Sequence, residues 1–153
     1  MNLLENTQLY RTYGAHPAGQ GWTFRVYAPN ARDAALAGDF NGWQPAPMQH
    51  QGGDWVLTVP DAQPGQCYKY VITGADGQVR WKADPYGTYA QLRPDTASRL
   101  YDVSGFRWHD DVWRERRRET PLTDGPLNIY EVHPGSWRRD EDGGFPYAEK
   151  LIE

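Results

Sequence analysis

Apolar and polar positions alternate with a period of two over several short stretches of the chain. The first clear one covers residues 22–28: Trp22, Phe24, Val26 and Ala28 fall on one side, Thr23, Arg25 and Tyr27 on the other, and Pro29-Asn30 stops it. That is the pattern of a strand buried on one face. A short strand is expected over residues 34–38. Asp39-Phe40-Asn41-Gly42-Trp43 follows, with an Asn-Gly pair suited to positive φ and Trp43 near the tip of the turn. Residues 54–59 alternate again with Trp55, Leu57 and Val59 on one face, closed by Pro60. After the Pro64-Gly65 turn, residues 67–73 place Tyr68, Tyr70 and Ile72 on one face and Cys67, Lys69 and Val71 on the other. Ala75-Asp76-Gly77 reverses the chain into a strand over 78–82 that carries Trp81, and a last strand is expected over 98–103.

Six or so short strands at turn-marked intervals predict an all-β, immunoglobulin-like two-sheet β-sandwich. Its expected extent is residues 21–106. Residues 1–20 hold few periodic apolar positions and several glycines and prolines, and read as a leader wrapped on the surface. Residues 107–126 read as a linker with a short surface helix over 111–118. Residues 127–153 open with a compact strand signal, Leu127-Asn128-Ile129-Tyr130-Glu131-Val132-His133, and are expected to begin a second domain.

Composition narrows the chemistry. With a net charge of −4 there is no basic field to hold a phosphate backbone, and the one arginine cluster, Arg114 with Arg116 to Arg118, is interleaved with Glu115 and Glu119. Nucleic acid is therefore not an expected partner. No stretch approaches the roughly 20 apolar residues of a membrane span, so no membrane partner is expected either. Cys67 is the only cysteine, which excludes an internal disulfide and suits a reducing cytoplasm. No His, Cys or acidic cluster has metal spacing, His133 included, and neither a metal nor a cofactor is expected. The unusual feature is aromatic content: 7 Trp, 10 Tyr and 4 Phe make 14% of a polar chain. These rings cannot all be core. Trp22, Trp55, Tyr68 and Tyr70 are read as core from their strand faces, while exposed flat rings are suited to the C–H faces of sugars.

Taken together, Phe24-Arg25-Val26-Tyr27-Ala28-Pro29-Asn30-Ala31, Gly38-Asp39-Phe40-Asn41-Gly42-Trp43, Pro64-Gly65 before Tyr68-Lys69-Tyr70, and Lys82-Ala83-Asp84-Pro85-Tyr86 resemble carbohydrate-binding module family 48. That family's domain precedes the catalytic barrel of branching and debranching enzymes. Asn128-Ile129-Tyr130-Glu131-Val132-His133-Pro134-Gly135-Ser136-Trp137-Arg138-Arg139 is similar to the first barrel strand and following loop of glycogen branching enzymes in the α-amylase superfamily. The resemblance implies a parent enzyme that cuts α-1,4-glucan and transfers the segment to a 6-hydroxyl, with α-glucan (glycogen, amylose, maltooligosaccharides) and the parent's own (β/α)8 barrel as partners. It implies no catalytic residue here, because the nucleophile and acid of that superfamily stand on later barrel strands. This chain alone is expected to be inactive. By the same resemblance Trp43, Trp81 and Lys69 fall where glycogen-binding relatives hold sugar, Ser98 falls where they carry an asparagine, and Asp84-Pro85-Tyr86 is a loop docking the module on the barrel. The alternatives are an accessory module of a debranching or trehalose-releasing hydrolase, or a free-standing glycogen-binding module. The Tyr130-to-Arg139 run favours branching.

Overall fold

The computed structural model describes residues 5–119, 125–139 and 141–144. It divides into two compact units, Met1–Phe106 and Arg107–Glu153. The first contains ten strands: β1 (Gly14–Ala18), β2 (Gly21–Tyr27), β3 (Asp33–Gly38), β4 (Ala46–Pro47), β5 (Gln49–Gln51), β6 (Asp54–Val59), β7 (Cys67–Thr73), β8 (Val79–Lys82), β9 (Tyr89–Ala90) and β10 (Ser98–Arg99). One sheet has the order β1-β2-β6-β5. The other has the order β4-β3-β7-β10-β9, with β8 also paired to β7.

Alternation decides what lies between the sheets. In the first, Trp22, Phe24 and Val26 stand opposite Val59, Leu57 and Trp55. In the second, Ala34 and Leu36 stand opposite Ile72 and Tyr70, with Tyr68 one pleat further along. These two faces form one core, in which Phe24, Leu36, Tyr68 and Tyr70 are essentially inaccessible. Burying side chains of this size stabilises a fold by roughly 1.5–3 kcal/mol each. Phe24 meets Tyr68 edge to face at 5.0 Å, and the Trp55 indole N–H donates to the Ala28 carbonyl at 3.1 Å, so a buried ring nitrogen is not stranded.

The main strands follow the sequence pattern, and three segments depart from it. Residues 14–18, read as part of a wrapped leader, form β1 and pair antiparallel with β2 over its full length. A 3-10 helix at Glu5–Arg11 precedes it. The edge strands β1 and β4 carry Pro17 and Pro47. The strand expected over 98–103 is only the two residues of β10; Leu100 keeps its register, its amide donating to the Gln66 carbonyl and its side chain entering the core, and the chain then leaves the sheet.

The second unit contains α1 (Asp111–Glu119) and a helical turn, α2 (Pro134–Trp137). The strand expected over 127–133 is not formed. Ile129 and Tyr130 are open to solvent, and among the described residues no strand pairs with this segment. Propensity alone does not make a strand: its backbone groups need a ladder partner, and a parallel barrel strand needs one on each side. Hydrogen exchange should show this contrast, with slow amides in β2, β6 and β7 and amides 127–133 exchanging close to the unprotected rate. Equal protection of both would contradict the open conformation seen here.

Candidate functional site

The outer face of the second sheet is built by parity. Since Tyr68 and Tyr70 of β7 point into the core, Lys69 and Val71 point outward. Val71 is paired with Trp81 of β8, and Lys69 with Ala37 of β3, so Trp81 and Lys69 share that outer face. Trp81 is 46% exposed. Beside it on this face, Val71 and Ala37 are themselves covered, Ala37 completely.

Trp43 is brought to the same place by the turn after β3. Asp39–Asn41 is a single 3-10 turn, Gly42 closes it in the left-handed region at φ 62°, and Trp43 follows at φ 60°. A left-handed backbone is uncommon for a bulky residue and is held only where its surroundings over-determine it. The surroundings are specific. The Asn41 side chain accepts from the Gly38 amide at 2.9 Å and donates to the Leu36 carbonyl at 3.1 Å. The Trp43 amide donates to the Gly38 carbonyl at 2.9 Å, and its indole N–H donates to Asp39 Oδ1 at 2.9 Å. The other oxygen, Asp39 Oδ2, accepts the Cys67 amide at 2.7 Å. Gly38 lies so close to β7 that a Cβ there would stand 2.6 Å from the Cys67 carbonyl oxygen. The result is a half-buried Trp43 ring 6.4 Å from Trp81, with the two planes tilted by 32°.

Lys69 completes the group. Its ammonium donates to Thr96 Oγ1 at 2.7 Å, and an ammonium has three protons to give. Thr96 is exposed, and it is a residue that sequence reasoning missed: nothing marks it except a hydroxyl in the loop before β10. Ser98, the expected fourth member, is not at this surface. It pairs with Tyr68 and therefore faces inward, only 3% exposed, where its hydroxyl accepts the Asp84 amide at 2.9 Å. Cys67 is buried, and burial raises its thiol above the usual range, as suits an inert packing residue.

Asp84, expected in a docking loop, is also turned inward. Oδ2 accepts the hydroxyls of Tyr68 at 2.7 Å and Tyr70 at 3.2 Å, and Oδ1 accepts the Tyr86 amide at 2.8 Å. Burial raises this carboxyl above its ordinary value, and the three hydrogen bonds pull against that rise. Both tyrosine hydroxyls are raised as well, first by burial and then by the facing carboxylate. Tyr86 stacks on Tyr13 with centroids 5.6 Å apart.

Among the described residues, no group of three His, Cys, Asp or Glu is arranged to hold a metal, and no helix is long and apolar enough to cross a membrane. The site offers two tilted aromatic faces, an ammonium and a hydroxyl on an open surface. That set is suited to holding a sugar polymer.

Comparison with known proteins gives a consistent picture. Residues 12–87 match the family model for carbohydrate-binding module 48 (isoamylase N-terminal domain). The chain is 45% identical over 155 residues to the 1,4-alpha-glucan branching enzyme GlgB of Rubrobacter xylanophilus, covering 97% of this chain and 22% of that protein. It is 46% identical to the same enzyme of Jannaschia sp., covering 94% and 21%, and 39% identical to that of Geobacillus stearothermophilus, covering 99% and 25%. The chain thus spans about a fifth to a quarter of the length of these relatives. Among solved structures, a Klebsiella pneumoniae pullulanase complexed with maltotriose superposes with a TM-score of 0.52 at 25% identity, over 59% of this chain and 9% of that one. A putative alpha amylase from Salmonella typhimurium gives 0.53 at 24% identity, over 67% and 17%, and shares the fold.

Proposed function

We infer, for a chain whose residues 12–87 belong to the carbohydrate-binding module 48 family, that it is a glucan-holding part of a glycogen branching enzyme. In this reading the whole polypeptide breaks an α-1,4 bond in glucan and rejoins the severed segment to a 6-hydroxyl. The part described here holds the polymer on Trp43, Trp81 and Lys69, with Thr96 in place of Ser98. The observation that carries it is the shared outer face: two rings 6.4 Å apart and tilted by 32°, beside an ammonium donating to a hydroxyl. Tilted rings suit the curved ribbon of an α-linked glucan, whereas a flat β-1,4 chain is matched by coplanar rings.

Identity of about 45% to branching enzymes, against about 25% to pullulanases, favours transfer over debranching. Residues 127–133 are then the first strand of the barrel, taking up its ladder once neighbouring strands stand beside it. The sandwich is immunoglobulin-like in its two-layer build. With a single buried thiol and no disulfide to form, the protein suits the cytoplasm.

An open face covers only part of each sugar, and ordering a flexible oligosaccharide opposes association, so affinity is modest. A dissociation constant on the order of 0.1–1 mM is expected, equivalent to about −5.5 to −4 kcal/mol. The test is an affinity gel: the 153-residue chain should be retarded by embedded glycogen and not by a β-1,4-glucan, and should form no α-1,6 linkages or reducing ends on amylose. Equal retardation by both polymers would remove the α-glucan assignment. Turnover that survives repurification would overturn its role as a non-catalytic part.

A further inference from the structure

We propose that Asp39 is the positioning residue of this platform: its carboxylate fixes the Trp43 ring to the start of β7, so that the tilt against Trp81 is set before sugar arrives. The proposal deepens the glucan-binding reading and rests on it for its purpose, while its geometry stands independently.

Asn41 ties the turn to β3, and Asp39 ties it to both the Trp43 ring and the start of β7. Oδ1 takes the indole N–H of Trp43, four residues on, and Oδ2 takes the backbone N–H of Cys67, twenty-eight residues on. The second bond anchors the turn, and that alone would be a structural role. The first does something else, because it reaches the ring that the site presents. Trp43 needs such a hold: its backbone and that of Gly42 before it are left-handed, so the residue lies outside any strand ladder, and its side chain is placed by the Asp39 bond together with the neighbouring Trp81 ring. Trp81 needs none, since it stands on a paired strand opposite Val71. One ring of the pair is placed by the sheet, the other by Asp39.

The two N–H groups arrive from different directions and each requires an acceptor. Only a carboxylate of this length supplies both: asparagine has one carbonyl oxygen, and its NH2 has nothing to accept with. In Asp39→Asn the part-buried Cys67 amide is the costlier donor to strand, so the oxygen turns to it and the NH2 faces the indole. This substitution therefore releases the ring while keeping the anchor, which separates the positioning role from the structural one.

The experiment reads indole N–H exchange by NMR, the circular-dichroism couplet of the two close tryptophans, and maltoheptaose affinity on the same samples. In the unsubstituted chain the Trp43 indole proton should exchange more slowly than that of Trp81. In Asp39→Asn its protection should disappear, the couplet should shrink, and affinity should fall roughly five- to tenfold, the scale of one lost hydrogen bond, with the thermal midpoint moving by only a few degrees. A Trp43 indole as fast as that of Trp81 in the unsubstituted chain overturns the proposal even if the variant fails to fold. So does a released ring with affinity unchanged. If the unsubstituted chain binds no maltoheptaose, the glucan reading falls, and the exchange and couplet data still decide whether Asp39 holds the ring.

Discussion

Asp84→Ala is expected to lower the thermal midpoint of the sandwich by roughly 10–20 °C, corresponding to about 3–4 kcal/mol for a domain of this size. Three donors converge on this carboxylate: the hydroxyls of Tyr68 and Tyr70, which lie in the core, and the Tyr86 amide. Alanine removes this acceptor from the Tyr68 hydroxyl and the Tyr86 amide and leaves Tyr70 with only its longer bond to the Arg25 carbonyl at 3.4 Å, and an unpartnered buried polar group costs about 1–3 kcal/mol. Relief from burying a carboxyl offsets part of that cost. Asp84→Asn should lose less than half as much, since its oxygen can serve the Tyr86 amide while the tyrosine hydroxyls rotate to accept from its NH2. A midpoint within a few degrees for Asp84→Ala, by calorimetry, would mean that the three donors find other partners.

Asp84 also sets a direction for pH. Its folded value is raised above the unfolded one, so its contribution to stability is full below the ordinary carboxyl value and is lost as pH rises through the higher folded value. Asp76 works the opposite way: Arg80 and the Gln78 amide lower it to about 2, so its contribution is present above the ordinary carboxyl value and is lost as pH falls towards 2. Asp76 and Arg80 both face solvent, and their pair is screened accordingly. Acid should thus not loosen the sandwich through its buried carboxyl.

Trp81→Ala is expected to make glucan binding nearly undetectable while leaving the thermal midpoint almost unchanged. Losing a stacking ring costs about 1–2 kcal/mol, its ring contact and part of its buried area together, which weakens a starting affinity of about −4 to −5.5 kcal/mol roughly 5- to 30-fold, to a dissociation constant of about 0.5–30 mM. Stability should survive because the ring is 46% exposed and the core lies on the other face of the sheet. Trp43→Ala should weaken retention similarly with a somewhat larger drop in midpoint, since that ring is half-buried and bonded to Asp39. Unchanged retention in a glycogen gel together with a large drop in midpoint would identify both rings as packing residues and the module as a structural support.

The strands that were legible in the sequence are those in which a period of two runs for six or seven residues, as in β2, β6 and β7. There, one face must be apolar for the sheets to meet, and the pattern reports it. β1 was not legible. Gly14-Ala15-His16-Pro17-Ala18 has no such alternation and is a strand because β2 offers it an edge. Residues 127–133 present the opposite case, strong β propensity with no paired strand among the described residues. Trp43, Lys69 and Trp81 were named through motif resemblance, and the structure places them on one face. Ser98 was misplaced because position in a motif does not reveal parity: opposite Tyr68, it must point inward. Asp39, Asp84 and Thr96 act through side chains that reach across 28, 14 to 16, and 27 residues of chain. No local pattern records a contact of that kind.

The prolines in the two edge strands bear on what happens when many copies crowd together. A sheet edge presents unpaired backbone groups on which another molecule can lay down a strand, and growth of that kind ends in precipitation. Pro17 in β1 and Pro47 in β4 have no N–H to offer such a visitor. In the proposed function, copies gathered on a branched glucan reach local concentrations far above their average in solution. With an edge of each sheet blunted in this way, copies held side by side on one particle have less opportunity to knit into a shared sheet, and the polymer can concentrate them without clotting them.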